Sequence, residues 1–364
     1  MAATARISRL LPGDPDTVRL LELRNIYMAA DLFKRTDTEL LDLLDLHLPR
    51  VRAIRASVAA AMTPAPRTTL DLLDEAAQRS RFLRIGMPAL EQAMRGGVPA
   101  GGITELVGPA GMGKTQLCLQ AALLAAVPDS LGGLGGAVVY FDTERKFSSA
   151  RLKQMALERF PGRFGPGRDA ALEEVMQRIL VANPANSRDL LRRIEDLQGT
   201  IIDRDVKLII LDSVAIFART EYGRDSVQER QRNLGQQAAA LKHLAESFRI
   251  PVLVTNQVTT AIGPSATHGV ASGVVPDAAQ AGGRLTAALG AQWAHAVNTR
   301  LVLEHTAGAR WVRVAKSPMC AAVAVPYEIK GGGVVEYEGV EAQHVRQGDV
   351  LAMGIEHDLN YHQK

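Results

Sequence analysis

The apolar positions along the chain change period near residue 80. Between about residues 14 and 62 they recur at helical spacing. Thr36-Asp37-Thr38-Glu39 is a capping box, and Leu40, Leu43 and Leu44, with Leu46 and Leu48 beyond, supply an apolar stripe. Pro49 falls at the next junction, and residues 50–61 are predicted as a further helix. The Met62-Thr63-Pro64-Ala65-Pro66-Arg67 run then interrupts the pattern, because its prolines disfavour helix and leave the chain extended. From Phe82 onward short apolar runs alternate with amphipathic stretches, the rhythm of a parallel α/β domain. Buried strands are predicted at 102–107, 137–142, 207–212, 251–256, 299–304, 311–315 and 323–329. A long helix between the third and fourth carries Leu241, Leu244, Ala245 and Phe248 on one face. The expected organisation is a small all-helical domain over 1–62, a linker over 63–81, an α/β core over 82–338 and a loosely ordered tail over 339–364.

Two segments break the rhythm of the core. Residues 219–231 are polar and charged, and residues 259–288 form a long tract of Gly, Ala, Ser, Thr and Pro with little apolar periodicity. A connection of that length inside a compact domain is usually functional or disordered.

Composition narrows the picture. A chain of 364 residues has room for about two domains, and 47% apolar with 22% charged residues is ordinary for a soluble globular protein. It contains no run of about 18 apolar residues, so no membrane partner is expected, and its first residues lack the apolar stretch of a secretory signal. Two cysteines, Cys118 and Cys320, make neither a disulfide framework nor a zinc site; small core residues in a reducing, intracellular setting are expected. His344, His357 and His362 follow no recognised ligand spacing. A net charge of +3 does not announce a nucleic-acid binder, and 4% aromatic residues argues against a broad base-stacking platform. Any affinity for DNA has to come from local segments.

The candidate chemistry is concentrated at Gly108-Pro109-Ala110-Gly111-Met112-Gly113-Lys114-Thr115, an uninterrupted G-x-x-x-x-G-K-[ST] octet. It stands between the β-branched run Ile103 to Val107 and the helix-forming run that starts at Gln116, the context such a motif requires. Glycines there let successive backbone N–H groups face a polyphosphate, and the new helix points its positive end at the same oxygens. Lys114 adds a point charge for the outer phosphates, and Thr115 offers a hydroxyl to Mg2+.

Three of the predicted strands end in polar groups. Leu208 to Asp212 is an apolar run closed by an acid, and an aspartate at that place holds the Mg2+ shell together with the loop hydroxyl of Thr115. Ala137 to Asp142 runs into Thr143-Glu144, which makes Glu144 the candidate to orient and polarise an attacking water; a solvated acid past the strand is the alternative. Val252 to Asn256 leads to Gln257, which would hydrogen-bond a terminal phosphate or, alternatively, serve as a satisfied structural amide.

These strand ends, in this order behind the octet, resemble the RecA/RadA superfamily of recombinases over nearly the whole chain. The phrases Gly132-Gly133-Leu134-Gly135-Gly136-Ala137-Val138-Val139-Tyr140, Leu211-Asp212-Ser213-Val214-Ala215, Thr255-Asn256-Gln257-Val258-Thr259-Thr260, Val297-Asn298-Thr299-Arg300-Leu301 and Ala315-Lys316-Ser317-Pro318 are most similar to the B-type paralogue of the eukaryotic DNA-repair recombinase. The resemblance implies a RecA-like ATPase core with a central, mainly parallel sheet behind a helical domain, using ATP and Mg2+. It implies that Gly108 to Gln116 bind nucleotide, with Lys114 and Glu144 catalytic, and that Arg151 lies against the adenine. His295 is implied between the long loop and the terminal phosphate. Residues 219–231 correspond to a first DNA-facing loop with Arg219, Tyr222 and Arg224, and residues 259–288 to a second with Arg284. Cationic contacts of that kind act on phosphates, with strong salt dependence and little sequence preference.

The chain also departs from the family pattern. Arg67-Thr68-Thr69-Leu70 stands where the active recombinase carries a Phe-x-x-Ala anchor, and an arginine cannot fill an apolar aromatic pocket without stranding its charge. Long self-polymers are therefore not expected. His47-Leu48-Pro49 replaces the glycine-containing turn of a helix-hairpin-helix. Lys316 stands where the recombinase has an acid and is expected to reach the phosphates bound by an adjacent subunit. The function implied is an accessory, slowly hydrolysing, DNA-dependent ATPase of homologous recombination in the nucleus. It would join recombinase paralogues, C-type first and then D- and X-type, assist the DNA-repair recombinase, and act on single-stranded and branched DNA. A self-sufficient filament-forming recombinase and a non-hydrolysing scaffold are the rival readings.

Overall fold

The computed structural model describes residues 5–63, 66–79, 82–165, 167–222, 226–257, 259–260, 285–286, 289–306, 308–339 and 341–344. Contacts divide the chain into two compact units, Met1–Arg79 and Ser80–Lys364.

The first unit is helical: α1 (Ile7–Leu10), α2 (Pro15–Leu23), α3 (Ala29–Phe33), α4 (Asp37–Leu44), α5 (Leu48–Met62) and α6 (Thr69–Arg79). Its core consists of residues at helical spacing, among them Leu21, Leu40, Leu44, Val51, Ile54 and Val58. The capping box at α4 forms in both directions: Glu39 N–H donates to Thr36 Oγ1 at 3.2 Å, and Thr36 N–H donates to Glu39 Oε2 at 2.7 Å. Pro49 lies in the first turn of α5, where its missing N–H costs no helical bond.

The segment read as a linker, 63–81, contains α6, and the cause is a second capping pair. Asp71 N–H donates to Thr68 Oγ1 at 3.1 Å, while Thr68 N–H donates to Asp71 Oδ2 at 3.1 Å. The prolines at 64 and 66 precede this cap, so they delay the helix and do not prevent it. Arg67 is tied to α6 by an ion pair with Glu75 and by donation from Nη2 to the Asp71 carbonyl at 3.2 Å.

The second unit is built on strands β1 (Phe82–Leu83), β2 (Val98–Pro99), β3 (Ile103–Gly108), β4 (Ala137–Asp142), β5 (Ile179–Ala182), β6 (Val206–Asp212), β7 (Val252–Gln257), β8 (Thr259–Thr260), β9 (Leu285–Thr286), β10 (Thr299–Thr306), β11 (Ala309–Lys316), β12 (Val323–Lys330), β13 (Gly333–Glu336) and β14 (Gln343–His344). The connecting helices are α7 (Pro88–Ala93), α8 (Lys114–Ala126), α9 (Ser149–Arg159), α10 (Asp169–Gln177), α11 (Ser187–Glu195), α12 (Leu197–Asp203), α13 (Ala215–Thr220), α14 (Val227–Phe248) and α15 (Ala291–Ala296). One ten-stranded sheet runs β13-β12-β11-β10-β3-β7-β6-β4-β5, with β14 added beside β12. From β10 to β5 every pairing is parallel, and from β10 to β13 every pairing is antiparallel.

The parallel strands are covered on both faces, which is why they read as unbroken apolar runs. Val138 and Tyr140 belong to the same core cluster as Leu117, Leu119 and Leu123 of α8, while Val139 and Phe141 belong to the cluster that holds Leu241 and Leu244 of α14. α8 is buried along nearly its whole length. Its one polar core residue, Gln120, donates to the Val334 carbonyl at 3.0 Å and accepts from Val334 N–H at 2.7 Å.

The polar segment 219–231 is shorter as a loop than its composition suggests. Arg219 lies in the last turn of α13, and α14 begins at Val227. Of the tail over 339–364, Gln343 and His344 pair antiparallel with Ala324 and Val323. Of the tract 259–288, Thr259–Thr260 and Leu285–Thr286 pair as a short ribbon, and residues 261–284 lie outside the described residues.

Candidate nucleotide site

Strand order and register bring the polar strand ends together. β3, β7, β6 and β4 are consecutive neighbours, with Gly108 opposite Gln257 and Asp142 opposite Asp212. In a parallel sheet those ends lie on one edge, where ligands of open α/β folds are bound.

The octet forms the turn from β3 into α8. Gly111 and Gly113 take φ of 78° and 96°, a region open to glycine at no steric cost, and a Cβ on Gly113 would also stand 2.8 Å from Ile329 Cδ1. The loop is braced from the side by the Tyr327 hydroxyl, which donates to the Met112 carbonyl. Lys114 folds back over the turn, with Nζ donating to the carbonyls of Gly108 at 2.7 Å and Pro109 at 2.8 Å. Burial lowers its pKa below the ordinary lysine value against the opposing pull of Asp212 and Glu144.

Asp212 collects three hydroxyls. Thr115 Oγ1 and Tyr140 OH each donate to Oδ2 at 2.8 Å, and Thr255 Oγ1 donates to Oδ1. Burial holds the Tyr140 phenol well above its usual pKa, so it remains a neutral donor. Burial likewise pushes up the Cys118 thiol, leaving it an inert core group. The Thr115 hydroxyl and the Asp212 carboxylate, 2.8 Å apart at the mouth of the phosphate loop, are hard oxygen donors of the type Mg2+ takes. Among the described residues no group of three or more His, Cys, Asp or Glu could hold a metal ion. The donor set fits an ion that keeps waters and phosphate oxygens in its shell.

Glu144 stands on the connection after β4. Its Oε1 accepts from Ser213 Oγ at 2.6 Å, and its Oε2 accepts from Lys146 Nζ. Burial raises its pKa, but the hydrogen bonds from Lys146 and Ser213 and the charges of Lys146 and Lys114 outweigh it, so the carboxyl lies below the ordinary glutamate value. A cleft of about 270 Å³ joins the octet to Glu144, Asp212 and Gln257 and is also lined by Gln116, Lys146 and Thr255. A larger groove of about 1030 Å³ runs between α7 and the β12–β13 edge. Of its three glutamates Glu336 is committed to the Ala89 and Leu90 N–H groups, and none of the phosphate-loop residues lines the groove.

The remaining candidates fall around this cleft. Arg151 donates from Nε to Gln116 Oε1 at 2.8 Å and from its other nitrogens to the carbonyls of Gly331 at 2.7 Å and Lys330 at 2.6 Å, which fixes it between α8 and the β12–β13 turn. Arg219 reaches the carbonyl of Gln257. Tyr222 OH lies 3.1 Å from Ser187 Oγ in a separate polar cleft of about 430 Å³. His295 is exposed on α15 and does not line the nucleotide cleft. Lys316 Nζ donates to the Ala294 carbonyl of α15 at 2.9 Å, so within the chain it is drawn toward that helix. Arg224 and Arg284 lie outside the described residues.

Lys146, Ser213, Thr255 and Tyr140 are site residues that sequence reasoning missed. A hydroxyl or a lysine carries no periodic signal; only their place at strand ends next to Glu144 and Asp212 could have pointed to them. A further group without a periodic signal is a buried carboxylate on β3. Glu105 accepts from Arg300 Nε at 2.7 Å, Asn256 Nδ2 at 2.9 Å and Trp293 Nε1 at 2.9 Å, tying β3, β7, β10 and α15 together.

The sequence profile of the Rad51 family matches residues 78–337. A protein of Arabidopsis thaliana named DNA repair protein RAD51 homolog 2 is 36% identical over 349 residues, covering 93% of this chain and 93% of that protein. The Mus musculus protein of the same name is 38% identical over 309 residues, 82% of this chain and 88% of that protein. Bos taurus DNA repair protein XRCC3 is 31% identical over 294 residues, 77% of this chain and 83% of that protein. With a family match that takes in the phosphate loop and every strand end of the cleft, the chain belongs to the Rad51 family and is similar, over most of its length, to the B-type paralogues called RAD51 homolog 2.

Proposed function

We propose that this chain is an accessory ATPase of homologous recombination and DNA double-strand break repair, working beside other recombinase paralogues in the nucleus. The observation that carries the reading is the convergence of the phosphate loop, Asp212, Glu144 and Gln257 on one cleft at one sheet edge. Similarity to repair proteins named as Rad51 homologues and XRCC3 supports the pathway and the kind of partner.

In this reading Gly108 to Gln116 and Lys114 hold the phosphates of ATP, and Arg151 borders the base. Thr115 and Asp212 would hold Mg2+, which when bound neutralises charge on the outer phosphates. Glu144 orients a water, and Gln257 senses the terminal phosphate. Phosphoryl transfer of this kind is mostly positioning and electrostatics, so each of these groups acts by where it is held. Arg219 binds both the sensing strand and, with Tyr222, Arg224 and Arg284, the DNA backbone. His295 relays between the second DNA loop and the phosphate, and Lys316 leaves the Ala294 carbonyl to meet a nucleotide on a neighbouring subunit. Partners are recombinase paralogues, C-type first and then D- and X-type, and the DNA-repair recombinase on single-stranded and branched DNA.

The test is phosphate release from ATP, with and without single-stranded DNA, by the wild-type chain and by Glu144→Gln. Slow release by wild type, stimulated by DNA and abolished in Glu144→Gln with nucleotide binding retained, is expected. Equal release by both proteins contradicts the role of Glu144.

A further inference from the structure

The connection after β4 is shaped so that Glu144 and Lys146 meet. Asp142 closes the strand and accepts from the backbone N–H groups of Lys146 at 3.0 Å and Phe147 at 2.8 Å. Arg145, between the two charged residues, takes a left-handed φ of 56°, a conformation uncommon for a long side chain and kept where its surroundings over-determine it. Phe147 packs edge-on against Tyr140 with ring centroids 5.0 Å apart, and Tyr140 in turn holds Asp212. The backbone on either side of Arg145 is thus anchored to β4, and the Lys146 ammonium lands on Glu144 Oε2.

This contact bears on the chemistry assigned to Glu144. A carboxylate that orients a water works through its negative charge and its proton affinity, and both fall when an ammonium sits in hydrogen-bond contact. Ser213 already engages the other oxygen, and Lys146 lines the same cleft as the phosphate loop. The lysine side chain is 60% exposed and that of Glu144 15%, so the ammonium is screened by water and able to leave while the carboxylate stays in the cleft.

We propose that Lys146 is a positioning residue that restrains turnover, holding Glu144 in an ion pair that has to open before the carboxylate faces an attacking water. The proposal rests on the reading of Glu144 given above. The strength of a screened pair sets the size of the effect, about two- to fivefold in rate.

The experiment compares the full chain as wild type, Lys146→Gln, Lys146→Arg, Glu144→Gln and the double variant Glu144→Gln/Lys146→Gln. It measures affinity for a fluorescent ATP analogue, and kcat and KM for phosphate release. Lys146→Gln is expected to raise kcat about two- to fivefold with affinity and KM within about twofold of wild type. Lys146→Arg, which keeps the charge, is expected to raise kcat less than Lys146→Gln does, and the double variant to be as slow as Glu144→Gln alone. An unchanged or lower kcat in Lys146→Gln, or a gain that survives in the Glu144→Gln background, overturns the proposal. So does an affinity loss beyond about tenfold, which would make Lys146 a phosphate contact. If wild type binds ATP but releases no more phosphate than Glu144→Gln, the reading of Glu144 itself fails and takes the proposal with it.

Discussion

Glu105 and Arg300 face each other across the β3–β10 pairing, Oε2 to Nε at 2.7 Å, with side-chain exposures of 0% and 3%. Two unit charges at that depth are costly unless each is paired and hydrogen-bonded, and Glu105 has the further donors Asn256 and Trp293. Asn256 precedes Gln257, the proposed phosphate sensor, and Trp293 stands on α15 two residues before His295. The pair therefore sets where the β7 end and α15 lie relative to the phosphate loop.

Breaking it from one side strands a charge. Arg300→Met is expected to lower the stability of the Ser80–Lys364 unit by about 3–5 kcal/mol, read from the midpoint of urea unfolding. Glu105→Gln with Arg300→Met together is expected to recover much of the loss, because the amide carries no charge to be stranded and its oxygen still accepts from Asn256 and Trp293. A double variant no more stable than the single would contradict the account of the pair.

Divalent dependence is the second consequence. With Thr115 Oγ1 on Asp212 Oδ2, removal of the carboxylate deprives an ion of one oxygen and of the group that orients the other. For Asp212→Asn the ratio of ATP affinities with Mg2+ and with EDTA is expected to shrink about tenfold relative to wild type. Isothermal titration in the two buffers decides it, and an unchanged ratio removes Asp212 from the ion's surroundings.

DNA binding is expected to report on Arg219. Arg219→Ala should weaken affinity for single-stranded DNA alike across sequences and reduce the slope of log affinity against log salt by about 0.7. Anisotropy titrations on labelled oligonucleotides at several salt concentrations measure both. A loss confined to some sequences, or an unaltered slope, speaks against a phosphate contact.

Legibility in the sequence followed how local each feature is. The octet carries its chemistry in contiguous residues, and Asp212 announces itself as an acid closing the run Leu208 to Leu211, so both are visible without a structure. Ser213 and Thr255 matter only because β4, β6 and β7 lie side by side in a particular register, and Lys146 meets Glu144 through the fold of one short connection; no periodicity encodes either. Glu105 passes for one polar residue in an apolar strand, since its partner Arg300 is 195 positions away. The helix α6 was hidden for a different reason: Pro64 and Pro66 suggest an extended chain, while the cap that starts the helix depends on the pairing of Thr68 with Asp71. The four-residue strands β5 and β13 are too short to show a period.

That cap gives a local prediction. Thr68→Ala removes the acceptor for Asp71 N–H and is expected to cost about 1 kcal/mol of helix stability. Faster hydrogen exchange in residues 71–75, with other helices of the first unit unaffected, is the expected result. Unchanged exchange there would show that α6 does not depend on its cap.

The central claim is that the cleft between the octet, Asp212, Glu144 and Gln257 takes a nucleoside triphosphate. Its most direct test is equilibrium binding of labelled ATP in Mg2+ to the wild-type chain and to Lys114→Ala, each checked for folding. Saturable binding by wild type, weakened about tenfold or more in Lys114→Ala, is the expected result. No uptake by folded wild-type protein, or equal uptake by both, would contradict it.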